Sequence, residues 1–387
     1  MKKKVFYLGL EALASRYTQQ LSEQWMPATF AEFKNLEFIP VIGDSVPVEI
    51  SVGNVLDAVG RGKYAMSQCS KLLDLIAKGE VTDNDVIFLQ DFYTPGIDAV
   101  FYALDLYGLN PKFYSMLHAQ SVDEYDFTWS MRGWLRSYER SIATRMSGIF
   151  VGSTIHREQL RASGFDCPIH VVSLPLHKKM VSDMVKNHQL KLFRDPTVVY
   201  ASRFDKEKNP FFMMSVAREF LKNNPNANWL ILHGGQEIRS SVPGAVDALK
   251  SLEIETEGRF RILSGISKVD YYTYLANSAV LFNSSLQDYV SWTILEGDTF
   301  GINIITPKFR SFPEFMPESN MYHPFNVDSA LGKLQVAIDN PIRKDFGFAD
   351  IADLGRRMEG YIVSNDVTNE INIWHEAEYC KYLLKTK

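Results

Sequence analysis

The chain has 387 residues, 46% of them hydrophobic and 22% charged, enough for two or three domains with full-sized cores. That composition excludes a mainly disordered protein, and no window reaches the roughly 18 consecutive apolar residues of a membrane span. Forty-one Lys and Arg against 46 Asp and Glu leave a net charge of −5, which argues against a whole-molecule grip on nucleic acid but allows a local basic face.

In chain order, Met1-Lys2-Lys3-Lys4 reads as a solvated tail, because Glu11 and Arg16 interrupt any apolar signal region. Short apolar runs then alternate with helical stretches. The predicted strands are Val5–Leu10, Glu37–Ile42, Asp85–Gln90, Lys112–His118, Gly148–Ser153 and Ile169–Leu174, with helices over Val55–Lys78, Phe127–Met146 and Ile155–Ser163. These runs are continuous rather than alternating, as strands buried on both faces require. The polar, basic stretch 176–195 breaks the rhythm, which restarts with Thr197–Ala201, Trp229–His233, Phe260–Leu263, Ala279–Asn283 and Ile302–Thr306. The expected fold is α/β: two Rossmann-like doubly wound domains, residues 1–190 and 191–340, facing a central cleft, with a helical tail at 341–387. Ligands then belong at the carboxyl ends of the strands. Cys69, Cys167 and Cys380 are scattered, so they read as packing thiols of a reducing compartment, and the expected location is the cytoplasm.

After the first strand of the second half comes SRFDKEKNP, in which Arg203 and Lys208 either serve a diphosphate beside a helix N-terminus or form a charged surface loop. Asp288 and Glu296 follow a later strand, eight residues apart; Glu296 suits ribose hydroxyls or, structurally, a cap or a lysine partner. In the first half, His118 ends a strand and reads as a structural histidine or a ligand contact, and Asp83-Asn84-Asp85 precedes its strand and reads as a turn. Arg132, Arg136 and Arg140 share one face of a predicted helix, with Trp134 and Tyr138 between them. They form either a phosphate-contacting stripe or a solvated face partly paired with Glu139. Residues 131–190 hold nine Lys and Arg against four Asp and Glu.

The ordered combination resembles the retaining glycosyltransferases of the family-4 type, which have the GT-B fold. The resemblance runs from Val5 to about Ala337. SRFDKEKNP is similar to the family's G-R-L-x-x-x-K-G element, LHGG to its strand-plus-glycine loop, and Asp288-x7-Glu296 to its E-x7-E. The stretch FRILSGISKVDYYTYLANSAVLFNSS resembles its base-contacting region, SFPEF its G-L-P-E element, and Ser153 with the helix IHREQLRASGF an architectural segment.

The resemblance implies a nucleotide-diphosphate sugar as donor, with no cofactor and no metal. Arg203 and Lys208 would bind the diphosphate, Glu296 the ribose, Ile266 and Gly234 the nucleoside, Asp288 and His118 the transferred sugar, and Gly9 the loop near the phosphates. The chain departs from the pattern in four places: aspartate stands for the first glutamate, Ser202 for a glycine, Gly297-Asp298-Thr299-Phe300-Gly301 for the usual small-residue run, and only Gly9 remains of a glycine-containing loop. The sequence also resembles divergent phage glycosyltransferases, some of which modify hydroxymethylated pyrimidines in DNA; a phage-encoded protein would work in the host cytoplasm. With the arginine stripe as acceptor-binding surface, DNA is the expected acceptor. An envelope glycan or lipid-linked saccharide is the alternative, and an inactive nucleotide-sugar-binding protein or a sugar epimerase are the others.

Overall fold

The computed structural model describes residues 3–12, 17–44, 58–188, 196–235, 237–340 and 345–363. Met1 and Lys2, residues 55–57 of the helix predicted over Val55–Lys78, 189–195 of the polar break, Cys380 and the tail beyond 363 lie outside them. The described chain divides into two units, one of residues 3–175 with 351–363, the other of 176–350.

The first unit runs β1 (Lys3–Leu8), α1 (Tyr17–Gln20), a π-helical turn (Leu21–Trp25), α2 (Met26–Ala31), β2 (Leu36–Pro40), α3 (Ala58–Ala77), β3 (Val86–Leu89), α4 (Ile97–Tyr107), β4 (Lys112–Met116), a 3-10 turn (Phe127–Met131), α5 (Arg132–Ala143), β5 (Gly148–Val151), α6 (Thr154–Ala162) and β6 (Ile169–Val171). Its strands form one parallel sheet in the order β2-β1-β3-β4-β5-β6. β3 and β5 are buried at every residue, as two-sided coverage demands. Alternation sorts their side chains. Ile87, Leu89, Ile149 and Val151 join the core with residues of α3 and α4, whereas Phe88 and Phe150 face an aromatic layer with Tyr7, Phe30 and Tyr114.

The second unit runs α7 (Lys178–Val185), β7 (Thr197–Tyr200), α8 (Pro210–Asn223), β8 (Asn228–His233), α9 (Ala245–Glu255), β9 (Phe260–Ser264), α10 (Lys268–Ala276), β10 (Val280–Phe282), α11 (Trp292–Phe300), β11 (Asn303–Pro307), α12 (Phe312–Phe315), β12 (Met321–Tyr322) and α13 (Val327–Asp339). The sheet order is β12-β11-β10-β7-β8-β9, so the winding direction reverses between β7 and β10. Local chemistry starts the helices: Ser267 accepts from Asp270 N at 3.1 Å at the head of α10, and Asn326 from Ser329 N at 2.8 Å at the head of α13.

The sequence places the domain boundary near residue 190 and a separate tail at 341–387; the structure divides the chain between Pro175 and Leu176 and again before Ile351. Within the polar break, α7 packs on α10 and α11, and Lys178 Nζ donates to Asp298 Oδ2 and Phe348 O, both at 2.7 Å. The helix α14 (Ile351–Val363) covers the aromatic face of the first sheet. Its Tyr361 ring stacks on His170 at 4.0 Å, and its backbone approaches so closely that a Cβ on Gly355 would lie 2.7 Å from Thr29 O. A helical pattern reports none of this, because these contacts are remote in sequence.

Candidate functional site

The reversal between β7 and β10 is where an open α/β sheet parts its loops and leaves a crevice. β7 is buried throughout, and the chain leaving it passes through a 3-10 turn, Lys206–Lys208. Asn209 turns it at φ 50° into α8, with Pro210 in the first helical turn. The loop after β10 meets this turn at three points. Leu286 N donates to Glu207 O at 2.7 Å, Ser284 Oγ donates to Lys208 O at 2.6 Å, and Lys208 Nζ donates to Ser285 Oγ at 3.1 Å. The Lys208 ammonium also forms an ion pair with Asp288 Oδ1. The lysine is 8% exposed, an unusual burial for an ammonium. Burial opposes charge on Asp288, but Lys208, Ser285 and Ser291 outweigh it and hold the carboxyl below its ordinary range. Ser311, in SFPEF, donates to Asp288 O at 2.7 Å and ties in the loop after β11.

Arg203 lies in the same β7 loop, but carboxylates of that loop hold it, with Asp205 at 3.1 Å and Glu207 at 2.8 Å. The structure therefore joins Lys208 to Asp288 and gives Arg203 its own pair of acids. Glu296, on α11, is 3% exposed. Its oxygens accept from two tyrosines of α10, Oε2 from Tyr271 OH at 2.6 Å and Oε1 from Tyr272 OH at 3.2 Å. Burial raises its pKa, opposed by Lys268 and the two hydroxyls, and the Lys268 ammonium lies 5.3 and 5.5 Å from the tyrosine ring centres. The sequence reading missed this pair, although the adjacent Tyr271-Tyr272 was a visible signal. Gly234 is exposed after β8, and Ile266 is half-buried between β9 and α10. Gly265 N, donating to Gly235 O at 2.7 Å, joins those two loops.

In the first unit, Gln90 at the end of β3 organises the loop after β1. Its Oε1 accepts from Leu10 N at 2.8 Å, Ser22 Oγ at 3.0 Å and Tyr7 OH. A Cβ on Gly9 would meet Gln90 Oε1 at 3.1 Å and the Tyr7 ring at 3.0 Å, so any larger residue here would push on both side chains. His118 Nε2 lies 3.1 Å from Gln90 O; a carbonyl only accepts, so Nε2 carries the proton. Burial lowers the His118 pKa, against Asp91 and this hydrogen bond. A pocket of about 580 Å³ opens beside these residues, lined in part by Tyr7, Glu11, Ser22, Glu23, Phe38 and Tyr64. Beside it, Arg61 pairs with Glu11 at 3.4 Å and Asp91 at 3.9 Å and donates to Tyr93 O at 3.2 Å, a network the motifs did not reveal.

No protein-family model matches the sequence, and no curated protein matches it by sequence. Solved structures do match. Sucrose-phosphate synthase from Thermosynechococcus elongatus is similar over 100% of both chains, with a TM-score of 0.62 at 15% identity. Anabaena HepE in complex with UDP-glucose is similar over 99% of this chain and 100% of its own, with a TM-score of 0.58 at 12% identity. The fold is GT-B. A putative UDP-N-acetylglucosamine 2-epimerase from Listeria monocytogenes shares it, with a TM-score of 0.61 at 13% identity over 96% of this chain and 99% of its own.

On this GT-B scaffold the arginine stripe lies on α5 of the first unit. Arg132, Arg136 and Arg140 are exposed, and none forms an ion pair among the described residues. The Arg132 and Arg136 guanidiniums lie 4.3 and 5.7 Å from the Trp129 ring centre, and Arg140 Nε donates to Arg136 O at 3.3 Å. Glu139 does not pair with them. It points inward, accepting from Ser121 N at 2.8 Å, Ser121 Oγ at 2.6 Å and Tyr93 OH. Asp83 and Asp85 form the expected turn, bonding Asn110 N and Thr82. Among the described residues, no group of three or more His, Cys, Asp or Glu is placed to hold a metal ion, and no helix is long and apolar enough to cross a membrane.

Proposed function

We propose that the protein is a glycosyltransferase that takes a sugar from a nucleoside diphosphate and transfers it to an acceptor hydroxyl with retention of configuration. The observation that carries this reading is a buried lysine, Lys208, at the β7/β10 reversal of a GT-B fold, lined up with Ser285 and Asp288. UDP is the proposed nucleotide, since HepE is solved with UDP-glucose and the pneumococcal transferase GtfA with UDP and GlcNAc.

In the proposed reaction the bond from the anomeric carbon to the diphosphate oxygen breaks as the acceptor oxygen bonds the same face. The acceptor proton passes to the departing phosphate oxygen, so no protein nucleophile is needed. Negative charge grows on that diphosphate, and Lys208 and Arg203 are the cations to stabilise it; one such donor is worth a few kcal/mol. Glu296 would hold the ribose, Ile266 and Gly234 would contact the nucleoside, and His118 the transferred sugar. No metal or other cofactor has a part in this reading, and the proposed location is the cytoplasm.

The acceptor we propose is hydroxymethylated pyrimidine in DNA. Three exposed arginines on one helix face, two of them over a tryptophan, support it as a surface for phosphates. The pocket with Tyr7, Phe38 and Tyr64 rings and Glu11 and Glu23 carboxylates favours the second reading, a neutral saccharide of an envelope glycan or lipid-linked sugar.

Nucleotide diphosphate release from a panel of UDP-sugars tests this, with hydroxymethylated DNA, unmodified DNA, a glycan mixture or no acceptor. Acceptor-dependent release, cut about 100-fold in Lys208→Ala, is expected. Release with DNA that Arg136→Ala weakens supports the first acceptor; release with glycans alone supports the second. A conversion of the donor sugar without acceptor makes the protein an epimerase, and nucleotide binding without any turnover makes it a binding protein.

A further inference from the structure

The residue that the resemblance makes a sugar contact is bonded to the lysine instead. From this, and resting on the donor-site reading above, we infer that Asp288 is a positioning residue: the counter-ion that holds Lys208 until the donor diphosphate binds and then yields it to that diphosphate.

Asp288 is fixed from several sides. Its carbonyl accepts from Ser311 Oγ at 2.7 Å, its backbone N donates to Ser285 Oγ at 3.3 Å, and its Oδ1 is on the Lys208 ammonium. An ammonium has three donors. Ser285 and Asp288 take two of them, and the third is the point from which an incoming phosphate oxygen begins to displace the carboxylate. The short aspartate side chain, where the resembling pattern has glutamate, ends on the lysine. Charge supports the same role. The three cations of this loop, Arg203, Lys206 and Lys208, are matched by three carboxylates, Asp205, Glu207 and Asp288, so the region carries no net positive charge to draw in an anion. A diphosphate takes its place by displacing the carboxylate from Lys208, which sets an electrostatic cost on binding that the aspartate itself controls.

The role is separable from a contact to the transferred sugar because UDP lacks that sugar. Calorimetric titration with UDP alone compares the wild type, Asp288→Asn, Asp288→Glu and Lys208→Ala. Asp288→Asn keeps the shape and removes the competing charge, so UDP binds at least about threefold tighter. Asp288→Glu restores the charge and returns affinity towards wild type, and the preference among UDP-glucose, UDP-galactose and UDP-GlcNAc stays unchanged in both. UDP binding in Asp288→Asn that equals or falls below wild type overturns the inference, as does an altered sugar preference. Lys208→Ala that binds UDP like the wild type overturns the donor site itself, a separate result. Should Asp288→Asn not fold, Asp288→Ser carries the same comparison.

Discussion

Glu296 shows what a buried carboxylate needs from its neighbours. Two tyrosine hydroxyls and the Lys268 charge offset the burial that raises its pKa. Removing the shorter hydrogen bond with Tyr271→Phe is expected to cost the second unit about 1–3 kcal/mol in urea unfolding at neutral pH. Because the folded pKa is raised, the folded state takes up the proton before the unfolded state does, and Glu296 adds stability as pH falls through that window. The penalty of Tyr271→Phe should therefore shrink as the pH is lowered towards the ordinary glutamate range; a penalty independent of pH would assign it to packing alone. At this scale the sequence was partly legible. Lys208 and Asp288 could be chosen because strand ends and spacing point to them. Arg61 could not, since it acts through a partner in a different element. Glu139 was legible and misread. It shares a helical face with Leu135, Ile142 and Ala143, all buried, so its spacing already directed it inward and away from the arginines.

At the scale of elements, α14 is the least local part of the first unit and the most exposed to a direct test. Its Tyr361 ring covers His170, and burial pushes that imidazole down to about 4. Below the ordinary histidine pKa the unfolded chain binds a proton that the folded state refuses, so His170 subtracts stability as pH falls from about 6.5 towards 4. Histidine titration by NMR should find His170 near 4 in the wild type and shifted up towards 6.5 in Tyr361→Ala. An ordinary value in the wild type would mean that α14 does not cover the sheet. The strands were legible because continuous Val, Ile and Phe runs have one meaning in an α/β chain. α14 was legible as a helix, from its own periodicity, but its docking depends on Gly355 meeting Thr29, which are far apart in sequence. α7 was hidden for the opposite reason: its polar composition read as a break, whereas Lys178 is consumed by Asp298 and Phe348 within the second unit.

In both doubly wound units the winding reverses once among the described strands, and loops at the carboxyl ends of the strands there frame a crevice. In the first unit that position holds Gly9 and Gln90; in the second it holds Lys208, Ser285 and Asp288. The fold was readable from alternation alone, and the rule that ligands bind at such a reversal pointed to β7/β10 as the candidate region. It did not report how the charges in that region pair, because pairing depends on loop conformations that spacing leaves open. The central claim is that the lysine of the second reversal is where the donor diphosphate binds. A crystal structure of the protein with UDP tests it most directly. The account predicts a diphosphate oxygen within hydrogen-bond distance of Lys208 Nζ, with the Asp288 carboxylate no longer on that ammonium and the ribose against Glu296. UDP bound elsewhere, with the Lys208–Asp288 pair intact, would contradict it.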